Sequence, residues 1–376
     1  MKILVCPDKF KGSLTALEAC EAIQKGLLMA SDQFEITLLP LADGGEGTAQ
    51  ILTHYTKGEI HKVKVNDPLF RTIEATYGYT AASQTAFIEM AQASGLMLLQ
   101  PEEQNPLYTS TLGTGELIRD ALTRGAKTII LGLGGSATND MGIGMAQALG
   151  IRFLDKAGES LLPTGENLAR IANIAIDNKN TLIDKVKFIV AQDVDNPLLG
   201  EAGAAKVYAP QKGASEAAIR QLEEGLAHLS LLVEQQLGKA VSHLPGAGAA
   251  GGLGAGAMAF LDATSKRGID LVMTLTDFDT HVRQCDYLIT GEGKLDEQTL
   301  QGKTIAGVCQ RAKKHQKPVI ALGGTLALTP NHFEVLGLAF ADAIVVAPCT
   351  LEEALREATY NLEQAAYRVG KWLCRC

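Results

Sequence analysis

Stretches typical of β-strands alternate with stretches typical of helices along most of this chain, and this alternation limits the folds open to it. Lys2–Cys6 is an aliphatic run typical of a strand, and Thr15 and Glu18 have the spacing of a capping box that opens a helix to about Met29. Glu35–Leu39 then predicts a second strand. Because parallel strands need long crossover connections, usually helical, this order predicts an α/β fold with largely parallel sheets.

The middle of the chain departs from the alternation. Three consecutive strand-like runs, Lys62–Asn66, Arg71–Tyr79 and Thr85–Met90, are separated by turn signals and predict an antiparallel meander. The C-terminal part alternates again, and 376 residues exceed one ordinary core. The prediction is therefore a discontinuous Rossmann-like parallel-sheet domain, residues 1–62 plus 285–376, with a larger mixed α/β domain, residues 63–284, inserted into it.

Composition and charge disfavour several classes of partner. The formal net charge is −8 and there is no extended Lys/Arg cluster, whereas a nucleic-acid partner requires a basic face. No run of 18 apolar residues predicts a membrane helix, and the start lacks the features of a signal peptide. Seven scattered cysteines without a CxxC pair indicate reduced thiols, as expected for a cytoplasmic protein. Taken together, charge, hydropathy and cysteine usage predict a cytoplasmic protein without a nucleic-acid or membrane partner.

The strongest local signal is a strand-like run that ends in a glycine loop and leads into a helix near Met141. Glycines let a backbone approach a ligand closely, and a helix N-terminus offers N–H groups to an anion. The candidate donors are Gly134, Gly135, Ser136, Thr138 and Asn139. Asp140 is a candidate ligand for a metal ion that bridges phosphates. A purely structural turn, with one of these polar residues capping the helix, explains the segment equally well.

The same segment also fits a dinucleotide-binding fingerprint. The spacing G-x-G-x-x-A begins at Gly132, and Asp155 follows the next apparent strand, Ile151–Leu154. An NAD(P)-dependent dehydrogenase that uses residues 132–155 is therefore an alternative. Against it, Asp140 would place a negative charge beside the pyrophosphate.

Further glycine-rich loops with charged residues follow predicted strands. They are Asp8–Ser13, Ala42–Thr48, Gln192–Pro197, Thr290–Asp296 and Leu322–Thr325. Open parallel sheets bind ligands at the carboxyl ends of their strands, although a single Asp or Glu there is more often a turn or cap residue. Together the loops supply what phosphoryl transfer needs, namely Mg²⁺ ligands, a base, cations and backbone donors. A conventional P-loop is absent, because Glu297 stands where its first glycine is required.

In order and spacing, these loops resemble the motifs of the bacterial type-1 glycerate kinase family from residue 1 to about residue 350. The motifs are Asp8–Leu14, Pro40–Thr48, Gly134–Asp140, Asp193–Leu198, Pro210–Ala214, Gly246–Gly254 and Thr290–Asp296, followed by Gln298-Thr299 and Gly302-Lys303. The sequence departs from the family pattern at Phe70 and Met141, where glycines are usual. The resemblance implies two α/β domains with the active site in the cleft between them. It also implies transfer of the ATP γ-phosphoryl group to D-glycerate, with 2-phosphoglycerate favoured over 3-phosphoglycerate as the product.

Roles for individual residues follow from this resemblance as hypotheses. The catalytic residues are Asp193 as the first candidate for general base, Asp43 as the second, and Lys9 as a cation for the substrate carboxylate. The substrate-binding residues are Asp8, Lys11, Ser13, Gly44, Gly45 and Glu46. The nucleotide-binding residues are Gly134, Gly135, Ser136, Thr138, Asn139, Lys294 and Lys303, and the Mg²⁺ ligands are Asp296, Glu292 and Asp140.

The expected cofactors are ATP and Mg²⁺, the expected partner is the small molecule D-glycerate, and a homodimer is the assembly considered. A non-catalytic metabolite-sensing protein on the same scaffold is a further alternative. It predicts ligand binding without turnover.

Overall fold

Strands and helices alternate through the computed structural model, which describes residues 1–301 and 304–375. The strands are β1 Lys2–Val5, β2 Glu35–Leu38, β3 Glu59–Asn66, β4 Thr72–Thr80, β5 Thr85–Glu89, β6 Thr128–Gly132, β7 Arg152–Leu154, β8 Asn173–Ala175, β9 Lys187–Ala191, β10 Thr264–Lys266, β11 Tyr287–Leu295, β12 Val319–Leu326 and β13 Leu338–Ala343. The helices are α1 Ala16–Ala30, α2 Thr48–Tyr55, α3 Ala91–Ser94, α4 Leu112–Thr123, α5 Ile143–Ala148, α6 Ala204–Tyr208, α7 Glu216–Leu237, α8 Ala249–Leu261, α9 Gly268–Leu275, α10 Phe278–Gln284, α11 Thr304–Lys314, α12 Pro330–Leu336, α13 Leu351–Arg356 and α14 Ala358–Leu373. The predicted α/β class is confirmed.

The chain divides into two compact units. The first comprises Met1–Asp43 and Ile269–Cys376, and the second comprises Gly44–Gly268. Both divisions fall earlier in the chain than the predicted boundaries after residues 62 and 284. The reason is that α2 packs against β4 and β5 in the second unit, whereas α10 packs against β1 and α11 in the first. Neither helix could be assigned to a unit from its own sequence.

The first unit is built on a parallel sheet. Its strand order is β13-β12-β11-β1-β2, and each neighbouring pair is parallel. The central strands are buried apolar runs, for which Ile3, Val5, Ile289 and Ile320 are examples. Strands of this kind are typical of parallel sheets whose faces are covered. Because the strands are parallel, their carboxyl ends lie at one edge of the sheet.

Helix α1 shows how the local sequence sets an element of this unit. The predicted capping box is confirmed: the backbone N–H of Glu18 donates to the Thr15 hydroxyl at 3.2 Å, and the Glu18 carboxylate accepts from the Thr15 N–H at 2.8 Å. The helix packs along α14, and a Cβ added at Gly26 would lie 2.1 Å from the carbonyl oxygen of Glu363. The two helices can therefore approach this closely only because position 26 has no side chain.

Gly26→Ala is expected to destabilise the first unit by about 1–3 kcal/mol, the range measured for overpacked cores, because the new methyl group forces α1 and α14 apart. Urea unfolding followed by circular dichroism measures the change. Met29→Ala in the same helix is the control, since Met29 is largely exposed and its loss should change the free energy of unfolding little. Equal stability of Gly26→Ala and wild type would show that the helices do not meet as described.

The second unit is built on a mixed sheet of order β10-β9-β6-β5-β4-β3. The pairs β3/β4 and β4/β5 are antiparallel, which confirms the predicted meander. The pairs β5/β6, β6/β9 and β9/β10 are parallel, so β5, β6 and β9 bring their carboxyl ends to one edge. One buried cluster, which includes Ile88, Leu117, Ile129 and Val190, joins this sheet to α4.

Residues 132–155 do not form the βαβ unit that a dinucleotide fingerprint requires. Helix α5 has six residues, and β7 pairs antiparallel with β8 in a separate two-stranded sheet rather than beside β6. Asp155 accepts the backbone N–H groups of Ala157 and Glu159 in a tight turn. The geometry therefore does not favour the dehydrogenase alternative.

Two C-terminal elements differ from their local sequence patterns. The apolar run Ala343–Val346 is typical of a strand, but the strand lies earlier, at β13, because Gly337 ends α12 with a φ of +75° and the chain extends directly from there. The sequence of Leu351–Trp372 is typical of one helix, which the structure divides at Glu357 into α13 and α14. Within the described residues, no helix combines the length and the apolar character needed to cross a membrane.

Candidate active site

A cavity of about 390 Å³ in the first unit collects most of the residues predicted there. This volume is in the range of small-ligand sites. The predicted residues that line it are Asp8, Lys9, Lys11, Ser13, Asp43, Glu292, Lys294 and Asp296. They come from the loops after β1 and β2 and from the end of β11, so the cavity lies at the carboxyl ends of these strands, where open parallel sheets bind ligands.

Apolar residues complete the wall of this cavity. Ile344 and Val345, which follow β13, line it together with Leu351 and Leu355 of α13. The apolar run that suggested a strand from residue 343 therefore forms cavity surface instead. The cavity is therefore lined by both charged and aliphatic side chains.

Asp8 is the buried carboxylate of this cavity. Its backbone N–H continues the β1/β11 pairing by donating to Gly291 at 2.9 Å, which fixes the residue just beyond the strand end. Its carboxylate accepts the Lys9 N–H at 2.7 Å and the hydroxyl of Thr304. Burial, and then the negative charge of Asp43, raise the pKa of Asp8 to about 6. The cavity thus contains two interacting carboxylates, and the pKa of Asp8 is raised above its ordinary value.

The raised pKa predicts a pH-dependent effect of Asp8→Asn on stability. Between the ordinary pKa of 3.8 and about 6, folded Asp8 keeps a proton that the unfolded chain has released. The free energy of unfolding therefore falls as pH rises through this window. Asparagine does not ionise, so the variant should be more stable than wild type above pH 6, by at most about 3 kcal/mol, and similar to it below pH 4.

Urea unfolding at pH 4 and pH 7.5 measures this difference. Asp32→Asn removes the same charge from an exposed position of the first unit and should change stability little at either pH. If Asp8→Asn lowered stability equally at both values, burial of a charged Asp8 would not be the source of the effect.

The end of β11 carries a network suited to cations. Thr299 is buried; its hydroxyl donates to the Glu292 carboxylate at 2.7 Å and accepts the Asp296 N–H at 3.1 Å. Lys294 forms an ion pair with Asp296 at 2.9 Å. Among the described residues, no three His, Cys, Asp or Glu side chains are grouped closely enough to bind a metal ion. Mg²⁺ in kinases is usually held by one or two carboxylates and by substrate phosphates, and Glu292 and Asp296 fit that arrangement.

Two other predicted residues of the first unit remain. The Ser13 hydroxyl donates to the carbonyl of Phe10 at 3.0 Å and so closes a turn that contains Lys11 and directly follows Lys9. Lys303 lies outside the described residues, and its role stays a prediction.

In the second unit, glycines of two predicted loops pack against each other. A Cβ added at Gly134 would lie 2.9 Å from the Cα of Gly45, and one added at Gly132 would lie 2.7 Å from the carbonyl oxygen of Gly44. Gly44 has a φ of +90° and lies against Ala191 at the end of β9. The structure thus brings the loop that starts at Gly44 to the ends of β6 and β9, with Glu46 exposed nearby in sequence.

Asp193 follows β9 in the same region. Its carboxylate accepts the backbone N–H of Gly268 at 3.1 Å, and the side chain is half-buried. The preceding Gln192 side chain donates to Ser265 at 2.9 Å and accepts the Val194 N–H at 3.3 Å. The loop is therefore held from both sides, which gives Asp193 a defined position.

The loop from Gly134 to Asn139 is fixed by backbone contacts. The Leu96 N–H donates to Gly135 at 2.9 Å, and the Ala137 N–H donates to Ser94 at 2.9 Å. Thr138 and Asn139 are fully buried, yet the Thr138 hydroxyl and both amide atoms of Asn139 lack hydrogen-bond partners among the described residues. Buried polar atoms are nearly always satisfied, so these groups are candidates for ligand contact.

Asp140 does not fit the predicted role of metal ligand. It is fully buried, and its carboxylate accepts hydrogen bonds from the N–H and hydroxyl of Thr111 at 2.8 and 2.7 Å. The N–H groups of Gly142 and Gly144 donate to it at 3.0 and 3.3 Å. Burial raises the pKa of Asp140, and these hydrogen bonds oppose the rise. Asp140 therefore ties the glycine loop to α4 and α5, which is the structural alternative for this residue.

Two buried charged residues near these loops are not among the residues predicted from the sequence. Lys212 donates from its Nζ to the Ser136 hydroxyl at 2.6 Å and to the Thr138 carbonyl at 2.8 Å. Glu89, the last residue of β5, accepts the Ala49 N–H at 2.8 Å at the start of α2. The strand-end position of Glu89 was a usable signal. Lys212 belongs to one of the family-like motifs, but nothing in its local sequence indicates burial.

This fold and these residues define a class of protein. It is an α/β enzyme with carboxylates, lysines and glycine-rich loops at the carboxyl ends of parallel strands. A family model described as the glycerate kinase family matches residues 3–374. The chain belongs to the glycerate kinase family.

Individual relatives and a solved structure agree with this membership. The chain is 49% identical over 368 residues to a glycerate kinase of Halalkalibacterium halodurans, covering 98% of this chain and 97% of the relative. It is 41% identical over 373 residues to the glycerate 2-kinase of Escherichia coli, covering 99% and 98%. A crystal structure assigned to glycerate kinase 2 of Salmonella typhimurium LT2 matches with a TM-score of 0.89 and 41% identity, covering 100% of this chain and 98% of that one. The protein is an enzyme, and the sensing and dehydrogenase alternatives are not favoured.

Proposed function

We propose that the protein transfers the γ-phosphoryl group of ATP to the 2-hydroxyl of D-glycerate, forming 2-phosphoglycerate and ADP. The observation that carries this proposal is the cavity of the first unit, where lysines and carboxylates converge at strand ends in a member of the glycerate kinase family. The preference for the 2-position is supported by the similarity to a relative named glycerate 2-kinase.

Glycerate is a small anion, and the proposed site provides for its charge. Lys9 and Lys11 line the cavity next to the turn that Ser13 closes, and either ammonium can pair with the substrate carboxylate. A charge-assisted hydrogen bond of this kind both binds and orients a carboxylate. The expectation that Gly44, Gly45 and Glu46 also contact the substrate remains part of this proposal.

The hydroxyl that attacks the phosphoryl group needs a proton acceptor. We assign this role first to Asp193, because its carboxylate is held at the end of β9 by the Gly268 N–H. Asp43 is the second candidate, since it lines the cavity beside Asp8. A positioned carboxylate of this kind accepts the substrate hydroxyl proton in kinases. That both units contribute to one site stays a prediction.

The remaining predicted residues are assigned to the nucleotide. The loop from Gly134 to Asn139 binds phosphate oxygens, and Lys294 with Lys303 adds positive charge near them. Glu292 and Asp296 are the residues that would hold Mg²⁺, which neutralises phosphate charge when bound.

The unpaired buried cysteines Cys6, Cys20, Cys285 and Cys309 fit the reducing cytoplasm expected from the sequence.

Phosphorus NMR of the reaction product tests this assignment. The purified protein is incubated with ATP, Mg²⁺ and D-glycerate, and the phosphorus–proton coupling of the product is compared with authentic 2- and 3-phosphoglycerate. The proposal predicts the doublet of a phosphate on a CH carbon. The triplet of a phosphate on a CH₂ carbon would move the reaction to the 3-hydroxyl, and the absence of both products would contradict the proposed activity.

A further inference from the structure

A lysine lies buried beneath the glycine loop of the second unit. Lys212 ends the short 3₁₀ turn Pro210–Lys212 and is only 2% exposed. The turn closes through Gly213, whose φ is +89° and whose added Cβ would lie 2.0 Å from the carbonyl of Gln104. Lysine is among the residues least often buried, so a tightly packed turn that places one here calls for a reason.

The hydrogen bonds of Lys212 go to the loop itself. Its Nζ donates to the Ser136 hydroxyl at 2.6 Å and to the Thr138 carbonyl at 2.8 Å. An ammonium has three donors, so one remains unassigned among the described residues. The two bonds join positions 136 and 138 and therefore fix the conformation of the loop between them.

The bond to Ser136 determines what this hydroxyl can recognise. A serine hydroxyl has one proton and two lone pairs, and Lys212 occupies a lone pair. The hydroxyl proton is not donated to any described residue, and Ser136 retains 8% exposure. A hydroxyl that already accepts from a cation is polarised towards donation, so Ser136 is prepared for an anionic oxygen rather than for a cation.

The charge of Lys212 is only partly balanced inside the protein. The opposing charge that acts on Lys212 is Asp140, whose carboxylate already accepts hydrogen bonds from Thr111, Gly142 and Gly144. Burial lowers the pKa of Lys212 to about 7, and Asp140 opposes this decrease. An anion bound at the loop would add the negative charge that favours the ammonium form.

A second observation points to a ligand at the same loop. The Thr138 hydroxyl and both amide atoms of Asn139 are fully buried and have no partners among the described residues. An amide offers two donors and an acceptor, and leaving all of them unsatisfied is rare in folded proteins. Unsatisfied polar atoms and a donor-ready serine therefore share the four-residue segment 136–139, and the buried cation Lys212 lies beneath this segment.

We propose that Lys212 is a positioning residue for phosphoryl transfer, which holds the 136–138 segment and directs the Ser136 hydroxyl proton to an oxygen of the ATP polyphosphate. The proposal rests on the proposed function, because it takes the loop from Gly134 to Asn139 as the phosphate-binding loop. Lys212 itself acts through Ser136 and the loop backbone.

The test compares Lys212→Met, Ser136→Ala and the double variant in the full-length protein. Methionine keeps the length of the side chain but has no charge or donor. Calorimetric titration with ATP and with tripolyphosphate, without glycerate, measures anion binding, and ADP formation with D-glycerate measures turnover. Lys206→Met is the control, since Lys206 is an exposed lysine paired with Glu201 at 2.5 Å. Thermal unfolding of each variant separates loss of fold from loss of function.

Loss of one preorganised donor typically costs about 10²–10³-fold in kcat, so Lys212→Met should lower kcat/KM by about 10²-fold and Ser136→Ala by a similar or smaller factor. Both should weaken tripolyphosphate binding, and the double variant should be no worse than Lys212→Met, because the two residues act as one unit. Ser136→Ala should melt within a few degrees of wild type, so it tests the proposal even if Lys212→Met unfolds.

Unchanged tripolyphosphate affinity and turnover in Ser136→Ala would overturn the proposal, as would strictly multiplicative effects in the double variant. If wild type formed no ADP with D-glycerate but Ser136→Ala still bound tripolyphosphate more weakly, the proposed function would fail and the anion-positioning role would stand.

Discussion

Asp193→Asn is expected to lower kcat by about 10²–10⁴-fold, the usual contribution of a general base, without unfolding the protein. In the wild-type protein the Gly268 N–H lies 3.1 Å from the Asp193 carboxylate. Asparagine retains a side-chain oxygen that can accept this N–H, so the loop after β9 should keep its shape. Asparagine cannot, however, accept the proton of the substrate hydroxyl. The effect should therefore appear in kcat, with a smaller change in KM.

Steady-state ADP release, measured at saturating ATP and varied D-glycerate, gives both constants. Asp184→Asn is the matched control, because Asp184 is an exposed aspartate of the same unit paired with Lys179, and its kcat should equal that of wild type. An unchanged kcat in Asp193→Asn would remove Asp193 from the role of base and leave Asp43 as the candidate. The same substitution at Asp43 would then be expected to show the loss.

Gly134→Val should lower kcat/KM by about 10²-fold, because a misplacement of about 1 Å at a reaction centre costs that much. The added Cβ would lie 2.9 Å from the Cα of Gly45, and the two further methyl groups of valine force the loops apart. Both loops carry predicted site residues. The substitution therefore tests whether their close approach matters for turnover.

Destabilisation alone must be separated from this effect. Gly238→Ala introduces strain at a φ of +69° at the end of α7, with no atom within 4 Å of the added Cβ, and should cost about 1 kcal/mol of stability without changing kcat/KM. Measuring kcat/KM and the melting temperature of both variants separates a loss of activity from a loss of stability. If Gly134→Val lost activity only in proportion to its stability, the loop contact would be purely structural.

Local signals in the sequence predicted much of the fold. The capping box of Thr15 and Glu18 fixes the start of α1, and turn residues between short β-rich runs predicted the antiparallel pairing of β3, β4 and β5. Long-range choices were not visible. β7 pairs with β8 instead of lying parallel to β6, because pairing depends on packing elsewhere in the chain rather than on its three residues.

The candidate site shows the same division. Loops at strand ends could be predicted, because parallel strands bring their carboxyl ends to one edge, and the cavity of the first unit is lined by residues of these loops. Burial could not be predicted from residue type. The position of Asp140 predicts a metal ligand, but its carboxylate accepts four hydrogen bonds within the protein. Nothing in the local sequence of Lys212 predicts its burial beneath the loop. Both outcomes depend on neighbours distant in sequence.

The most direct test of the proposed activity is D-glycerate-dependent ADP formation by the wild-type protein with ATP and Mg²⁺, measured by a coupled assay and compared with a reaction without glycerate. A glycerate kinase forms ADP in a one-to-one ratio with phosphoglycerate and no ADP above background when D-glycerate is omitted. No ADP in the complete reaction, together with a change in NADH absorbance when a nicotinamide cofactor replaces ATP, would contradict the proposed activity.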